Sequence, residues 1–280
     1  MGNTRLRKRN QKRFRSRRRQ QRGGSTPFVS VPRQTLRTKG TLAEIHGIPL
    51  SIYMTWHSKT VPVQMKESID RMIAMNPEFN VHIYDAGMSR EFIERHFGPE
   101  VVDAYDTLIP IAFKSDLWRY CLLYILGGIY LDIKYYSVMP LIDVVKDLGE
   151  FFVKDVESTC NACDPQLAIW NGLIAVKKGN PVLKDAIDAI VENCRNKTIP
   201  AHPMNISGPC LLGGLFISKG LEDLLKLDLA MDASNEDLIK AKVVYNEMDL
   251  LKQYEGYRDD QKLYKQPHWL DQWNAGNIYK

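Results

Sequence analysis

From Ile48 onward, the apolar positions fall into two recurring patterns. A short apolar run after Pro49, through Ile52, Met54 and Trp56, reads as a buried strand. Val63, Ile69, Met72 and Ile73 then recur at helical spacing until Asn76-Pro77 stops the pattern. Residues 79–85 (FNVHIYD) read as a second strand, followed by a helix expected to open on Ser89 and close on Gly98. This βαβα order predicts an α/β layer architecture with a largely parallel sheet. Pro110 introduces a further helix, expected from Ala112 to Leu126 and ended by Gly127-Gly128, and an apolar strand runs through Ile129–Ile133. Beyond Pro140, strands are expected at 151–153 and 173–176, and a helix starting at Pro181. A Gly-rich turn at 207–214 and a helix over 221–229 complete the reading, and the last hundred residues are less regular. No internal repeat is present.

Charge divides the chain more sharply than hydropathy does. Residues 1–40 carry 14 Lys/Arg and no Asp/Glu, which leaves the rest of the chain at a net −9. The reading is a disordered basic tail over 1–40 and one domain over 41–280, because Arg/Lys/Gln/Ser repetition buries too little surface to offset ordering. Such a tail suits nucleic acid or an anionic surface. No apolar h-region follows the early arginines, position six is Leu6 where myristoylation wants Ser or Thr, and no apolar run is long enough to span a bilayer. Five cysteines and no visible secretory signal point to reduced thiols, with Cys160 and Cys163 in an ordinary loop. The expectation is a soluble, cytoplasmic protein.

The chemistry concentrates around the helix at 112–126. Arg119 is the one charged residue between Leu117 and Leu131, and Asp116 lies three positions before it on the same face. Asp132 closes an apolar strand, at the end where open α/β sheets bind ligands. Two readings fit these residues: a structural Asp116–Arg119 pair with Asp132 in a turn, or a ligand site. Isolated charges in so apolar a stretch require partners in either case.

The complete string over 114–136, with Ser115, Asp116, Arg119, Tyr120, Gly127, Gly128, Tyr130 and Asp132, resembles the core of the family 32 glycosyltransferases, the DxD sugar-binding group. The resemblance extends thinly from Ile48 to Tyr279. It implies a GT-A type nucleotide-diphospho-sugar transferase fold, α/β with a mainly parallel mixed sheet. It implies transfer of a hexosyl group, with retention, from a nucleoside diphosphate sugar to a glycan, lipid or protein hydroxyl. Asp132, Arg119 and Asp116 would then form the catalytic set. Trp56, Tyr120, Tyr130, Lys134, Asn171, His268 and Trp273 would contact the donor.

One position departs from the family pattern: lysine stands at 134, where the second carboxylate of DxD is expected. The resemblance implies an Mn²⁺ or Mg²⁺ ion at Asp132. Two outcomes follow: a metal site completed from elsewhere, for instance by His268 or Asp271, or a lysine that replaces the ion. Competing readings are a nucleic-acid-binding protein led by the tail, and a sugar-nucleotide-binding module without turnover.

Overall fold

The chain is described by a computed structural model covering residues 28–232, 240–264 and 267–280. It begins with short edge pieces, β1 (Phe28–Ser30), β2 (Gln34–Thr35), β3 (Glu44–Ile45) and β4 (Ile48–Pro49), and the first central strand is β5 (Ser51–Thr55). β6 (Thr60–Pro62) leads into α1 (Val63–Met75), and β7 (Asn80–Tyr84) into α2 (Ala86–His96), α3 (Pro99–Thr107) and α4 (Ile111–Leu126). Next come β8 (Gly128–Leu131), β9 (Tyr135–Ser137), α5 (Leu141–Leu148), β10 (Phe151–Lys154) and α6 (Glu157–Ala162). β11 (Ile169–Val176), α7 (Pro181–Arg195) and α8 (Pro209–Lys219) follow. The chain closes with β12 (Leu225–Asp232), β13 (Lys240–Tyr245), β14 (Met248–Gln253), α9 (Tyr257–Leu263) and α10 (Trp269–Asn274).

Among the described residues, ten strands share one sheet in the order β2-β7-β5-β8-β11-β10-β12-β13-β14-β9. The α/β class and the mixed sheet are as expected. Parallel pairing, however, is confined to β5 with β7 and β8, where helices carry the chain back across, and to β10 with β12. The remaining pairs of this sheet are antiparallel. A local signal accounts for one of them: Asn246 and Glu247, at φ 48° and 64°, form the two-residue turn that folds β13 onto β14.

Both faces of the central strands are covered, which explains their unbroken apolar runs. Tyr130 joins the cluster built on α4 and α7, while Ile129 and Leu131 point into the opposite cluster with α1 and α5. The reversal from α4 into β8 needs both glycines. Gly127 and Gly128 have φ of 65° and 97°, and a Cβ on Gly128 would lie 2.8 Å from the Ser51 carbonyl oxygen of β5.

Several expectations are corrected. Asp85, not Ser89, caps α2 by accepting from the Met88 N–H at 2.9 Å, and Ser89 lies inside the helix. The Gly-rich segment expected as a turn is mostly α8, with Pro209 in its first turn; the Leu167 carbonyl occupies the place of a Cβ at Gly213. The helix expected over 221–229 is mainly β12, because Leu227 and Leu229 alternate into the core. Residues 28–40, assigned to the tail, include β1 and β2, which pair with β6 and β7; residues 1–27 lie outside the described residues.

The thiol expectation fails for one pair. Cys163 and Cys210 are disulfide-bonded with Cα atoms 5.2 Å apart, while Cys121, Cys160 and Cys194 are free and buried. This bond removes the thiol argument for a cytoplasmic placement. No helix among the described residues is long and apolar enough to cross a membrane.

Gly128→Ala is expected to lower the unfolding free energy by about 2 kcal/mol or more, since it adds a positive-φ penalty to a backbone clash. Denaturant melts measure this, and an unchanged midpoint would refute the close approach of β8 to β5.

Candidate functional site

Arg119 is the centre of a buried polar network at the floor of a cleft of about 890 Å³. Helix α4 is apolar around most of its circumference, so the guanidinium cannot reach bulk water and must find protein acceptors. Its Nε donates to the Ser115 carbonyl at 3.2 Å, and Nη1 donates to the Asn171 carbonyl at 2.5 Å. Nη1 also faces Asp132 Oδ1 at 3.4 Å, and Nη2 faces Asp116 Oδ1 at 3.3 Å. The Tyr130 ring lies against the guanidinium at 4.2 Å, a desolvated cation–π contact.

Asp116 is satisfied from three sides. Asn171 Nδ2 donates to its Oδ1 and Ser207 Oγ to its Oδ2, each at 2.8 Å, in addition to the Arg119 pair. Asn171 also donates to the Tyr120 hydroxyl, which in turn donates to the Ser207 carbonyl, both at 3.0 Å. Burial nonetheless dominates the Asp116 carboxyl, whose pKa is pushed up to about 6.

Asp132 follows β8 directly. Its N–H donates to Gly172 of the antiparallel neighbour β11 at 2.8 Å, which brings Asn171 alongside. Trp56 follows β5, and because β5 and β8 run parallel in register, both residues emerge at the same sheet edge. The Tyr130 hydroxyl donates to Asp132 Oδ1 at 2.8 Å, and Lys134 Nζ lies 3.4 Å from Oδ2.

The structure therefore brings Asp116, Arg119, Tyr120, Tyr130, Asp132, Lys134 and Asn171 together. Trp56 lies in the wall of the same cleft, in a ring cluster with His57 at 4.4 Å and Tyr264 at 5.3 Å. His268 also lines it, its Nδ1 accepting from the Leu270 N–H at 3.3 Å. Trp273 does not line the cleft; it packs on the apolar core, and its neighbour Trp269 faces the cleft instead.

Four contributors were not read from the sequence. Ser207 had a signal, since Ser-Gly-Pro precedes a helix, but its partner is far away in sequence. His57, Tyr257 and Arg258 also line the cleft, and nothing in their neighbourhoods distinguishes them from ordinary loop or helix residues.

The chain matches a known family over residues 62–150, the family described as "Glycosyltransferase sugar-binding region containing DXD motif". The matched residues include Asp116, Arg119 and Asp132. Related proteins agree with this. "Putative glycosyltransferase HOC1" of Saccharomyces cerevisiae is 25% identical over 158 residues, 51% of this chain and 39% of the relative. "Initiation-specific alpha-1,6-mannosyltransferase" of Candida albicans is 23% identical over 188 residues, 60% of this chain and 49% of the relative. The chain thus spans less than half the length of either. Among solved structures, "PaToxG Glycosyltransferase" is 20% identical at a TM-score of 0.46, covering 62% of this chain and 71% of that one. The resemblance to the family 32 glycosyltransferases stands.

The matched segment does not fit the divalent ion that the family's DxD pattern implies. Oδ1 of Asp132 already accepts from Tyr130 and faces Arg119, and Oδ2 faces the Lys134 ammonium. Hard cations want several charged or carbonyl oxygens, and here cations occupy that space. Among the described residues no group of three or more His, Cys, Asp or Glu side chains is placed to hold a metal. Asp271, considered as a completing ligand, is exposed in α10 and does not line the cleft.

The Asp116 environment sets a pH dependence. An unfolded aspartate titrates near about 3.9, so a folded value of about 6 means the native state holds this proton more tightly. The group's favourable contribution is present below about pH 4 and lost as pH rises through about 6. Relative to Asp116→Asn, the wild type is expected to lose about 1 kcal/mol of stability per pH unit in that window, as read from urea melts. A flat difference would return the carboxyl to its ordinary range.

Proposed function

We propose that this chain transfers a hexosyl group from a nucleoside diphosphate sugar to a hydroxyl acceptor, with retention of configuration, on a GT-A type arrangement. The observation that carries this reading is the placement of Asp132. It follows β8 at the sheet edge where Trp56 follows the parallel β5, and it faces Arg119, which is bound to Asp116 and Asn171. Asp116, Arg119 and Asp132 all lie within the matched residues 62–150. Chemistry at the carboxyl ends of parallel strands is the usual arrangement for open α/β sheets.

The roles follow from which groups still face the cleft. Arg119 is turned towards protein oxygens through Nε, Nη1 and Nη2, so it holds Asp116 and Asp132 in place. Asp116 and Asn171 present a fixed polar floor for sugar hydroxyls. The Trp56 ring in the cleft wall, held edge-on by Tyr264, offers an aromatic surface for the base. Asp132 and Lys134 lie together where the anomeric carbon–diphosphate bond would break as the bond to the acceptor oxygen forms. The name of the Candida relative makes a mannosyl donor the first candidate, with a glycan, lipid or protein hydroxyl as acceptor. The relatives are sugar transferases, which gives the nucleic-acid reading of the basic tail no support.

The test is a panel of nucleoside diphosphate sugars scored by thermal shift and by release of nucleoside diphosphate. A cognate donor at a hundred times its Kd should add about 2.7 kcal/mol of stability. Asp132→Asn is expected to abolish turnover while the melting temperature stays near that of the wild type. Wild-type rates in that variant would remove the site assignment, and donor binding without any turnover in the wild type would favour the silent binding module.

A further inference from the structure

Building on the sugar-nucleotide reading above, we infer that the donor diphosphate is held without a divalent cation, its charge met by the Lys134 ammonium and the Arg258 guanidinium. The surroundings of Asp132 disagree with a bound divalent ion. The carboxylate lies between Arg119 Nη1 and Lys134 Nζ, each 3.4 Å from one of its oxygens. A divalent ion bound there would face two fixed positive charges, and both oxygens of the Asp132 carboxylate are already directed at those charges. The same arrangement is favourable for an anion, because Asp132 holds the ammonium in position without cancelling its reach into the cleft.

Lys134 is fixed in more than one way. Its backbone carbonyl accepts from the Tyr254 N–H at 3.1 Å, which ties the residue after β8 to the segment leading into α9. Its Nζ lies 5.4 Å from the Tyr135 ring centre and 5.6 Å from that of Tyr257, and its side chain is only 26% exposed. An ammonium held between two rings has lost much of its water, so an incoming phosphate oxygen would be a stronger partner for it than at an open surface.

A diphosphate carries more negative charge than one lysine can match. The next residue after Tyr257 supplies a second cation. Arg258 lines the cleft and has no carboxylate partner among the described residues, whereas Lys262, one turn further, is paired with Asp259 at 2.9 Å. A guanidinium is also the better group for two neighbouring phosphate oxygens, since its planar fork can donate to both. Lys134 follows β8 and Arg258 belongs to α9, and both line the cleft. Together they account for the cation that the family pattern would have placed between two carboxylates.

The test is calorimetric titration of the full chain with GDP and with UDP, in EDTA and again with Mn²⁺. Binding by at least one nucleotide is expected in EDTA, changed less than about twofold by Mn²⁺. Lys134→Met keeps the stem between the rings and removes the charge; it should weaken binding in EDTA by about ten- to hundredfold, and Lys134→Arg should restore most of it. Arg258→Ala, at an exposed position, should cost about tenfold with an unchanged melting temperature. Lys134→Asp should create Mn²⁺-dependent binding, visible in the spin-resonance signal of bound Mn²⁺. Wild-type binding that appears only with Mn²⁺, or full-strength binding by Lys134→Met in EDTA, overturns the metal-free clamp and leaves the sugar-nucleotide reading intact. Binding of neither nucleotide under either condition overturns both.

Discussion

A guanidinium inside an apolar helix has to be answered by protein atoms, and the candidate site is organised by that requirement. Helix α4 buries Leu117, Trp118, Tyr120, Cys121, Leu122 and Leu123 together with Arg119. The acceptors come from four places: Ser115 and Asp116 on the same helix, Asp132 after β8, and the Asn171 carbonyl of β11. Leaving any of these oxygens out would strand charge in a low-dielectric interior, so the helix and two strands are locked to one another by the same demand. Groups held this way reach a ligand already oriented, which is what a sugar-binding floor requires.

Sheet topology explains why the site lies where it does. β8 has a parallel neighbour on one side and an antiparallel neighbour on the other. The parallel neighbour ends at the same edge and delivers Trp56; the antiparallel one passes Asn171 and Gly172 alongside Asp132 in the opposite sense. A purely parallel sheet would have placed only strand ends there. The mixed arrangement adds a mid-strand backbone carbonyl and a side-chain amide, and these two groups connect Arg119, Asp116 and Tyr120.

How much of this was legible in the sequence depended on distance along the chain. α1, α4, β5, β8 and α7 follow from local periodicity, with Pro110, the Gly127-Gly128 pair and Pro181 marking boundaries. Asp116, Arg119 and Asp132 lie within 17 residues of one another, so a single string exposed them. Ser207 reaches Asp116, and Arg258 the cleft, from far along the chain, and pairing across such separations leaves no periodic trace. The segment at 221–229 misled for a different reason: its leucines satisfy helical and strand spacing alike, and only the neighbouring β10 decides between them. Trp269 and Trp273 are four positions apart on one short helix, so sequence could not say which ring would face the cleft.

The Cys163–Cys210 bond encloses the chain segment that supplies both amide and hydroxyl donors to Asp116. Asn171 lies eight residues inside one end of that ring and Ser207 three residues inside the other, across a separation of 47. Closing a loop of that size removes about 4 kcal/mol of chain entropy from the unfolded ensemble. The covalent closure therefore acts on the unfolded chain as well as the folded one: with the bond in place, the two distant donors stay within one closed loop even without packing. In the folded protein it restricts how far α8 can drift from the C-terminal end of α6. A rigid polar floor is thus held in part by topology laid down outside the floor itself.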